Sequence, residues 1–108
     1  MAIIEQVFIS RDNPAVVTVG STDSATPLSG MTRITCELVG AGITIDSATS
    51  PLAIVWTDTQ ITFDIGDQAA TGNQKAIVVA YDPAHPQGQV IAHPKALAAS
   101  NLTFKFIE

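Results

Sequence analysis

Apolar and polar residues alternate along most of this 108-residue chain, and this pattern limits the folds it can adopt. In the segment 32–38, TRITCEL, the apolar residues Ile34, Cys36 and Leu38 occupy every second position. Such a period of two indicates a half-buried strand with one face in water. No segment sustains the 3.6-residue apolar stripe of an amphipathic helix. The sequence therefore predicts an all-β fold.

Short strands recur at intervals of about ten residues, which is typical of a sandwich or a small barrel. The absence of a βαβ unit argues against a parallel sheet. Nine segments fit this pattern: 3–9, 15–19, 32–38, 43–46, 53–57, 60–65, 74–81, 89–92 and 101–107. The expected core contains the large aromatic residues Trp56, Tyr81, Phe8, Phe63, Phe104 and Phe106.

The connections between these segments are rich in turn-forming residues. We predict loops at 20–30 and 66–73, and a tight hairpin turn at Asp58-Thr59. In 82–88, DPAHPQG, two prolines fix φ and a final glycine permits a positive φ, which predicts a rigid turn. Residues 94–99 have room for a single helical turn.

The size and the cysteine content predict one domain, 1–108, that is stabilised by packing alone. Cys36 is the only cysteine, so no intrachain disulfide can form, and we expect it to be an inert buried thiol. The lack of a disulfide framework favours assembly in a reducing cytoplasm. The first residues, MAIIEQVFIS, lack the basic region of a signal peptide, and no segment is long and apolar enough to span a bilayer, so we expect a soluble protein.

Charged residues make up only 14% of the chain, against about 25% in a typical soluble domain. Two interpretations remain open: a sandwich with a Ser/Thr-rich surface, or a surface partly covered by a partner. The net charge of −5 argues against binding to nucleic acid or to an anionic membrane.

Two groups of residues have the side chains of a metal site but not the spacing. His85 and His93 lie eight positions apart, near Asp82 but far along the chain from Cys36, so we interpret both histidines as solvated loop residues. A second group of carboxylates, around the 58–59 hairpin, does not follow the spacing of a calcium-binding loop, and we interpret these residues as solvated acids: Asp58, Asp64 and Asp67. We predict no metal and no cofactor.

No arrangement of a nucleophile, a base and an acid is recognisable, and the sequence has neither a G-x-S-x-G elbow nor a phosphate-binding loop. We therefore predict no enzyme and no catalytic residues.

Several segments, taken together, resemble a group of small immunoglobulin-like structural proteins of bacteriophages and prophages, associated with the head or the tail. The order and spacing of these segments cover nearly the whole chain. They are 7–13 (VFISRDN), Leu28 with 31–35 (MTRIT), 44–51 (TIDSATSP), Trp56 and 81–88 (YDPAHPQG).

The resemblance implies an immunoglobulin-like antiparallel β-sandwich of about 7–9 short strands, without the disulfide of antibody domains. It implies a non-enzymatic virion protein that is assembled in the bacterial host cytoplasm and binds other virion proteins. The low content of charged residues predicts that the chain self-associates or joins a larger assembly. A head decoration or minor capsid protein is the first expectation, and a neck, tail, baseplate or fibre-associated protein is the alternative.

A carbohydrate-binding or adhesion module is an alternative of another class, and it would favour exposed aromatic residues on a flat face. In the resembling segments, Arg33 is placed to pair with a carboxylate or to contact a partner. Asp82 is placed to cap backbone donors in its turn.

Overall fold

A computed structural model describes residues 2–18, 28–68, 70–93 and 101–108 of the chain. These residues form nine strands and one 3-10 turn, Leu28–Gly30, with no α-helix among them, which confirms the all-β prediction. The strands are β1 (Ala2–Phe8), β2 (Ala15–Thr18), β3 (Arg33–Leu38), β4 (Ile43–Asp46), β5 (Ile54–Trp56), β6 (Gln60–Phe63), β7 (Gly72–Asp82), β8 (His85–Ala92) and β9 (Asn101–Ile107).

The strands form two sheets. The larger sheet has the order β1-β9-β7-β3-β4, with β8 paired to β7 in addition, and the smaller sheet has the order β2-β6-β5. The long strand β7 lies at the centre of the larger sheet. It pairs with β3 along one edge, and with β9 and then β8 along the other.

The expectation of purely antiparallel sheets is wrong for one pair of strands. β1 and β9 are parallel, in register from Ala2↔Asn101 to Phe8↔Ile107. Parallel neighbours need a long connection between them, which is commonly a crossover helix. Here β1 and β9 are the first and last of the described strands, so the seven strands described between them form part of that long connection.

Both sheets contribute to one hydrophobic core. Phe63 of the smaller sheet and Phe104 of the larger sheet meet edge to face, with ring centroids 5.0 Å apart and an interplanar angle of 72°. Cys36 is completely buried, as predicted, and burial raises the pKa of its thiol to about 12. The thiolate is the reactive form of cysteine, so this side chain is an inert apolar group in the core.

Three of the six aromatic residues expected in the core are buried: Phe63, Phe104 and Phe106. The others are not. Phe8 is 39% exposed because Val7 occupies the inner position of β1 and the next residue points away from the core. Tyr81 is half-buried for the same reason, since Ala80 takes the inner position on β7.

Trp56, at the end of the edge strand β5, is only half-buried and packs against the margin of the core.

The rigid turn predicted at 82–88 is wrong in extent, because β8 already begins at His85 and only Pro83 and Ala84 connect it to β7. Between the pairs Ala80↔Gln89 and Asp82↔His85, β7 has one residue, Tyr81, whereas β8 has three, 86–88. Such a bulge tolerates Pro86, which has no backbone N–H to donate to the ladder. Gly88 has a φ of +85°, as the sequence predicts.

The helical turn expected at 94–99 and most of the loop expected at 20–30 lie outside the described residues. Within the described ranges, no helix has the length and apolar character needed to cross a bilayer.

Candidate interaction surfaces

Arg33 connects two neighbours on the outer face of the larger sheet, the face turned away from the core. Its Nε donates to Oδ1 and Oδ2 of Asp46 at 2.9 and 3.1 Å, and its Nη2 donates to Oδ2 at 2.5 Å. Its Cζ lies 4.7 Å from the ring centroid of Tyr81, its direct cross-strand neighbour. A cation over an aromatic face is an attractive arrangement. Arg33 thus binds a carboxylate of its own chain.

The hydrogen bonds from Arg33 are the largest cause of a lowered pKa at Asp46; partial burial opposes them, and the Ala48 N–H adds to the lowering. The same hydrogen bonding to Asp46 is the largest cause of the raised pKa of Arg33. Both side chains reach the surface, where solvent screens such a pair. The pair orients the two side chains on the sheet more than it stabilises the fold.

The segment 46–50 forms a hydrogen-bonded corner after β4. The Ala48 N–H donates to Oδ1 of Asp46 at 2.9 Å, and the Ser50 N–H donates to the Asp46 carbonyl oxygen at 2.8 Å. Ser47 exchanges bonds with Ile34: its Oγ accepts from the Ile34 N–H, and its own N–H donates to the Ile34 carbonyl. The corner therefore extends the pairing of β3 beyond the end of β4.

Gly88 lies on β8, which pairs with β7 near Tyr81, whereas Arg33 lies on β3 on the opposite side of β7. A β-carbon at Gly88 would overlap Cγ1 of Val79 and lie 2.7 Å from Cε2 of Tyr81, so only glycine allows this approach. Three of the segments on which the resemblance rests, 31–35, 44–51 and 81–88, thus meet at one end of the larger sheet. Their contacts with one another are those of a structural cluster.

Of the two histidines, His85 is solvent-exposed as expected but lies in a strand, and His93 is half-buried where a solvated residue was expected. His85 is exposed at the start of β8, and its Nδ1 lies 2.8 Å from Oδ1 of Asp82. The carboxylate of Asp82 therefore pairs with the imidazole of His85, whereas the sequence predicted that it would cap backbone N–H groups. His93 is half-buried just after β8. In the part of the chain that the structure describes, no three His, Cys, Asp or Glu side chains are close enough together to hold a metal ion.

The three aspartates considered for calcium are not brought together as a set. Asp64 and Asp67 line a shallow groove with Asp12 and Leu52, whereas Asp58 does not line it. Asp64 is half-buried, and its backbone N–H donates to the Ala53 carbonyl at 2.8 Å.

The outer face of the larger sheet carries several exposed apolar side chains. Ile4 is 65% exposed, Val39 44% and Val90 52%, in addition to Phe8. Between them, Ile77 and Val79 of β7 are half-buried, and Val79 pairs directly with Val90. A soluble monomer normally covers such a face with polar groups. This outer face therefore has the character of a contact surface.

Thr35 lies on β3, on the outer face, which the alternation in 32–38 predicts to be in water. It is 9% exposed, because Asp46 and Val79 flank it on the neighbouring strands.

Three exposed charges of the outer face lie on three neighbouring strands. Lys105 lies on β9 and Lys75 on the central β7, whereas Glu37 lies on β3. All three side chains are exposed, and none forms an ion pair with another described residue. Asp46, on the neighbouring strand β4, already forms an ion pair with Arg33.

The smaller sheet has a narrower outer face. Val16, Thr62 and Val55 align across its three strands, and the two valines are 42% and 46% exposed.

Trp56 lines a groove of about 390 Å³ with Thr32, Ser47 and Pro51 at the margin between the two sheets. This combination of an aromatic ring and hydroxyl groups was not expected from the sequence, which placed Trp56 in the core.

The apolar outer face was not predicted either, although the sequence contains its signal. In 3–9, IIEQVFI, apolar residues occupy both the odd and the even positions, and in 74–81 the run AIVVAY does the same. A strand that is apolar on both faces indicates that both faces are covered.

The chain matches no protein-family model, no curated protein and no solved structure.

Proposed function

We propose that this chain is a non-enzymatic structural protein of a bacteriophage virion, and that it packs against capsid subunits as a head decoration or minor capsid protein. The observation that carries a subunit role is the apolar outer face of the larger sheet, with Ile4, Phe8 and Val90 exposed. The low content of charged residues supports it, since a covered surface needs less charge to stay in solution. The assignment to a virion rests on the sequence resemblance.

We further propose that the fold is of the immunoglobulin type. The order β2-β6-β5 in one sheet corresponds to strands B-E-D, and the order β9-β7-β3-β4 in the other corresponds to G-F-C-C′ of a variable-type domain. Two features depart from that pattern. β8 is inserted between the F-like and G-like strands, and no disulfide joins the sheets.

A structural role also accounts for the ionisable groups whose pKa is shifted. Strongly shifted groups mark candidate catalytic sites when they gather in a cleft. Here Asp46 and Arg33 shift because they bind each other on a sheet face, and Cys36 shifts because it is buried in the core. None of the three leaves an acid, a base or a nucleophile poised for a substrate.

Fractionation of the particle tests the proposal. Virions of the phage or prophage that encodes this chain would be separated into heads and tails, and the chain would be quantified in each by mass spectrometry. We expect it in the head fraction, in many copies. Its presence in the tail fraction alone would replace the decoration role with the neck, tail or baseplate role. Its absence from both fractions would contradict a virion protein.

A carbohydrate-binding module is a second candidate, and the groove beside Trp56 is the observation that favours it. Sugars stack on aromatic rings and bond to neighbouring polar groups, which Thr32 and Ser47 supply here. Trp56 is the only tryptophan, so its fluorescence reports directly on this groove. Titration with a panel of bacterial surface oligosaccharides should change that fluorescence saturably if this candidate is correct. No change with any sugar would rule out the module for that panel.

A further inference from the structure

We propose that the free edge of β1 pairs with the same edge of a second copy of this chain, as antiparallel strands related by a two-fold axis at Ile4. The two larger sheets would then form one continuous sheet. The partner follows from the state of this edge, from the direction of its backbone groups and from the registers that a two-fold axis allows.

The free edge of β1 lacks the features that normally protect an edge strand. β1 has seven residues in unbroken register with β9, and no described strand pairs with its other side. It contains no proline and no lysine, and Glu5 is its only charged residue. By contrast, the edge strands β2, β4 and β5 have only three or four residues each, and β8 contains Pro86 and a bulge. A long edge without such protection is a template for a further strand.

The backbone groups of β1 alternate in direction, and one hydrogen bond identifies those that face the free edge. The Ile9 N–H donates to the Ile107 carbonyl at 2.8 Å, so the odd-numbered residues direct their backbone groups to β9. The even-numbered residues, among them Ile4 and Gln6, direct theirs to the free edge, where no described backbone group bonds to them. At Phe8 the outward carbonyl already accepts from the Arg11 N–H at 3.2 Å.

Open space lies along this edge. A groove of about 630 Å³ is lined by both Glu5 and Gln6, and by Asn13 and Pro14 in the connection to β2. Successive residues of a strand point to opposite faces of the sheet. A groove that contacts both Glu5 and Gln6 therefore reaches around the edge between the two faces, where a second strand would lie.

Of the two-fold registers that keep most of β1 paired, one fits the available groups. An axis at Glu5 places two carboxylates directly opposite each other, which is destabilising. An axis at Gln6 requires the Phe8 carbonyl of both copies, which Arg11 already uses. An axis at Ile4 avoids both conflicts and allows about six backbone hydrogen bonds among residues 2, 4 and 6 of the two copies.

The register at Ile4 also brings together side chains that suit each other. Ile4 is 65% exposed, and on the axis it would meet the Ile4 of the second copy. Cross-strand pairs of apolar β-branched residues stabilise a sheet. In a two-fold interface each contact occurs twice, so one strand supplies both halves of the match. This match of backbone and side chain identifies a second copy as the occupant.

Disulfide trapping tests the register. On the axis the two Ile4 Cα atoms would lie about 5.5 Å apart, whereas the two Gln6 Cα atoms would lie about 14 Å apart. A disulfide requires less than about 7 Å. We expect Ile4→Cys to form a covalent dimer in a glutathione redox buffer, and the matched control Gln6→Cys, on the same face of the same strand, to stay monomeric. Cys36 is buried and does not compete. Equal cross-linking of both variants, or of neither, would overturn the inference, and cross-linking of Gln6→Cys alone would overturn the register.

Proline at position 4 tests the hydrogen bonds without a cysteine. The Ile4 N–H has no partner within the described chain, so Ile4→Pro should keep the fold, as proline does on edge strands, but remove both donors at the axis. By sedimentation equilibrium we expect a wild-type dimer, and a dissociation constant raised by at least about thirtyfold in Ile4→Pro. Ile4→Val is the control, because it keeps the N–H and a β-branched side chain, and its dissociation constant should stay within about threefold of wild type. A wild-type chain that is monomeric at about 100 μM, or a folded Ile4→Pro that dimerises normally, would contradict the pairing.

The inference goes beyond the proposed function, and the two fail in different ways. If the chain occurs in virions but Ile4→Cys forms no covalent dimer, the pairing is wrong and the virion role stands. If Ile4→Cys is trapped as a dimer but the chain is absent from virions, the virion role is wrong and the pairing stands.

Discussion

Replacing Phe104 by alanine is expected to lower the free energy of unfolding by about 3–5 kcal/mol. Phe104 is fully buried, and its ring meets Phe63 edge to face at the junction of the two sheets. Removal of the ring loses its transfer free energy and leaves a cavity that both sheets line. The edge-to-face contact, worth about 0.5–1.5 kcal/mol beyond buried area, is lost with it. Since small domains are stable by only about 5–15 kcal/mol, this loss is a large fraction of the total.

The matched control for Phe104→Ala is Phe8→Ala, the same substitution at a residue that is 39% exposed. It should cost about 1 kcal/mol or less, as most surface substitutions do. Urea unfolding at low protein concentration, followed by the fluorescence of Trp56, gives both free energies. Alkylation of Cys36 is a second readout, because this buried thiol reacts only when the core opens. Equal losses in the two variants would show that Phe104 is not at the centre of the core.

The residues that alternation predicted best are those of strands with one apolar face. In β3, Ile34, Cys36 and Leu38 are all completely buried, as the pattern in TRITCEL indicates. β4 has the predicted bounds, Ile43–Asp46, and β9 begins and ends as predicted, at Asn101 and Ile107. In these segments a shift by one residue would expose the whole apolar set, so local pattern determines register.

Alternation could not assign the residues of strands that are apolar on both faces. In β1 and β7 the pattern does not say which set points inward, and Phe8 and Tyr81 were placed in the core on size alone. The register with neighbouring strands decides the matter: Phe8 lies opposite Ile107, and Tyr81 lies opposite Arg33, both on the outer face. Those pairings join residues far apart in the chain, which a local pattern cannot reveal.

Backbone features set by distant contacts were missed as well. Pro86 predicts a turn because its ring removes a backbone donor, yet a bulge opposite Tyr81 accommodates it within β8. The parallel pairing of β1 with β9 likewise depends on the arrangement of all the intervening strands. The Arg33–Asp46 pair could be anticipated only as an unspecified carboxylate partner.

Gly66 is the clearest case of a residue whose importance has no local signal. In the sequence it opens a predicted loop, and its φ requires no glycine. In the structure the turn after β1 packs directly on it. The Ser10 N–H donates to the Gly66 carbonyl at 2.8 Å, and the Arg11 N–H donates to the Phe8 carbonyl at 3.2 Å. Space, rather than backbone conformation, excludes any larger residue here.

Gly66→Ala is therefore expected to destabilise the fold by about 3 kcal/mol, the upper end of the usual cost of overpacking. The added β-carbon would overlap the carbonyl oxygen of Arg11 and lie 2.6 Å from that of Phe8. Both obstacles are backbone atoms, so no change of rotamer relieves them. The turn that joins β1 to β2 must move, and Ser10, already at a φ of 63°, has little freedom to follow.

Gly30→Ala is the matched control for Gly66→Ala, because a β-carbon at Gly30 meets no described atom within 4 Å and its φ is not positive. That substitution should leave stability within about 1 kcal/mol of wild type, with a small gain from the stiffer unfolded chain. Thermal and urea unfolding of the two variants, side by side, measure the difference. If alanine is tolerated equally at both positions, the turn between β1 and β2 does not lie against Gly66, and the position of β1 at the edge of the larger sheet must be revised.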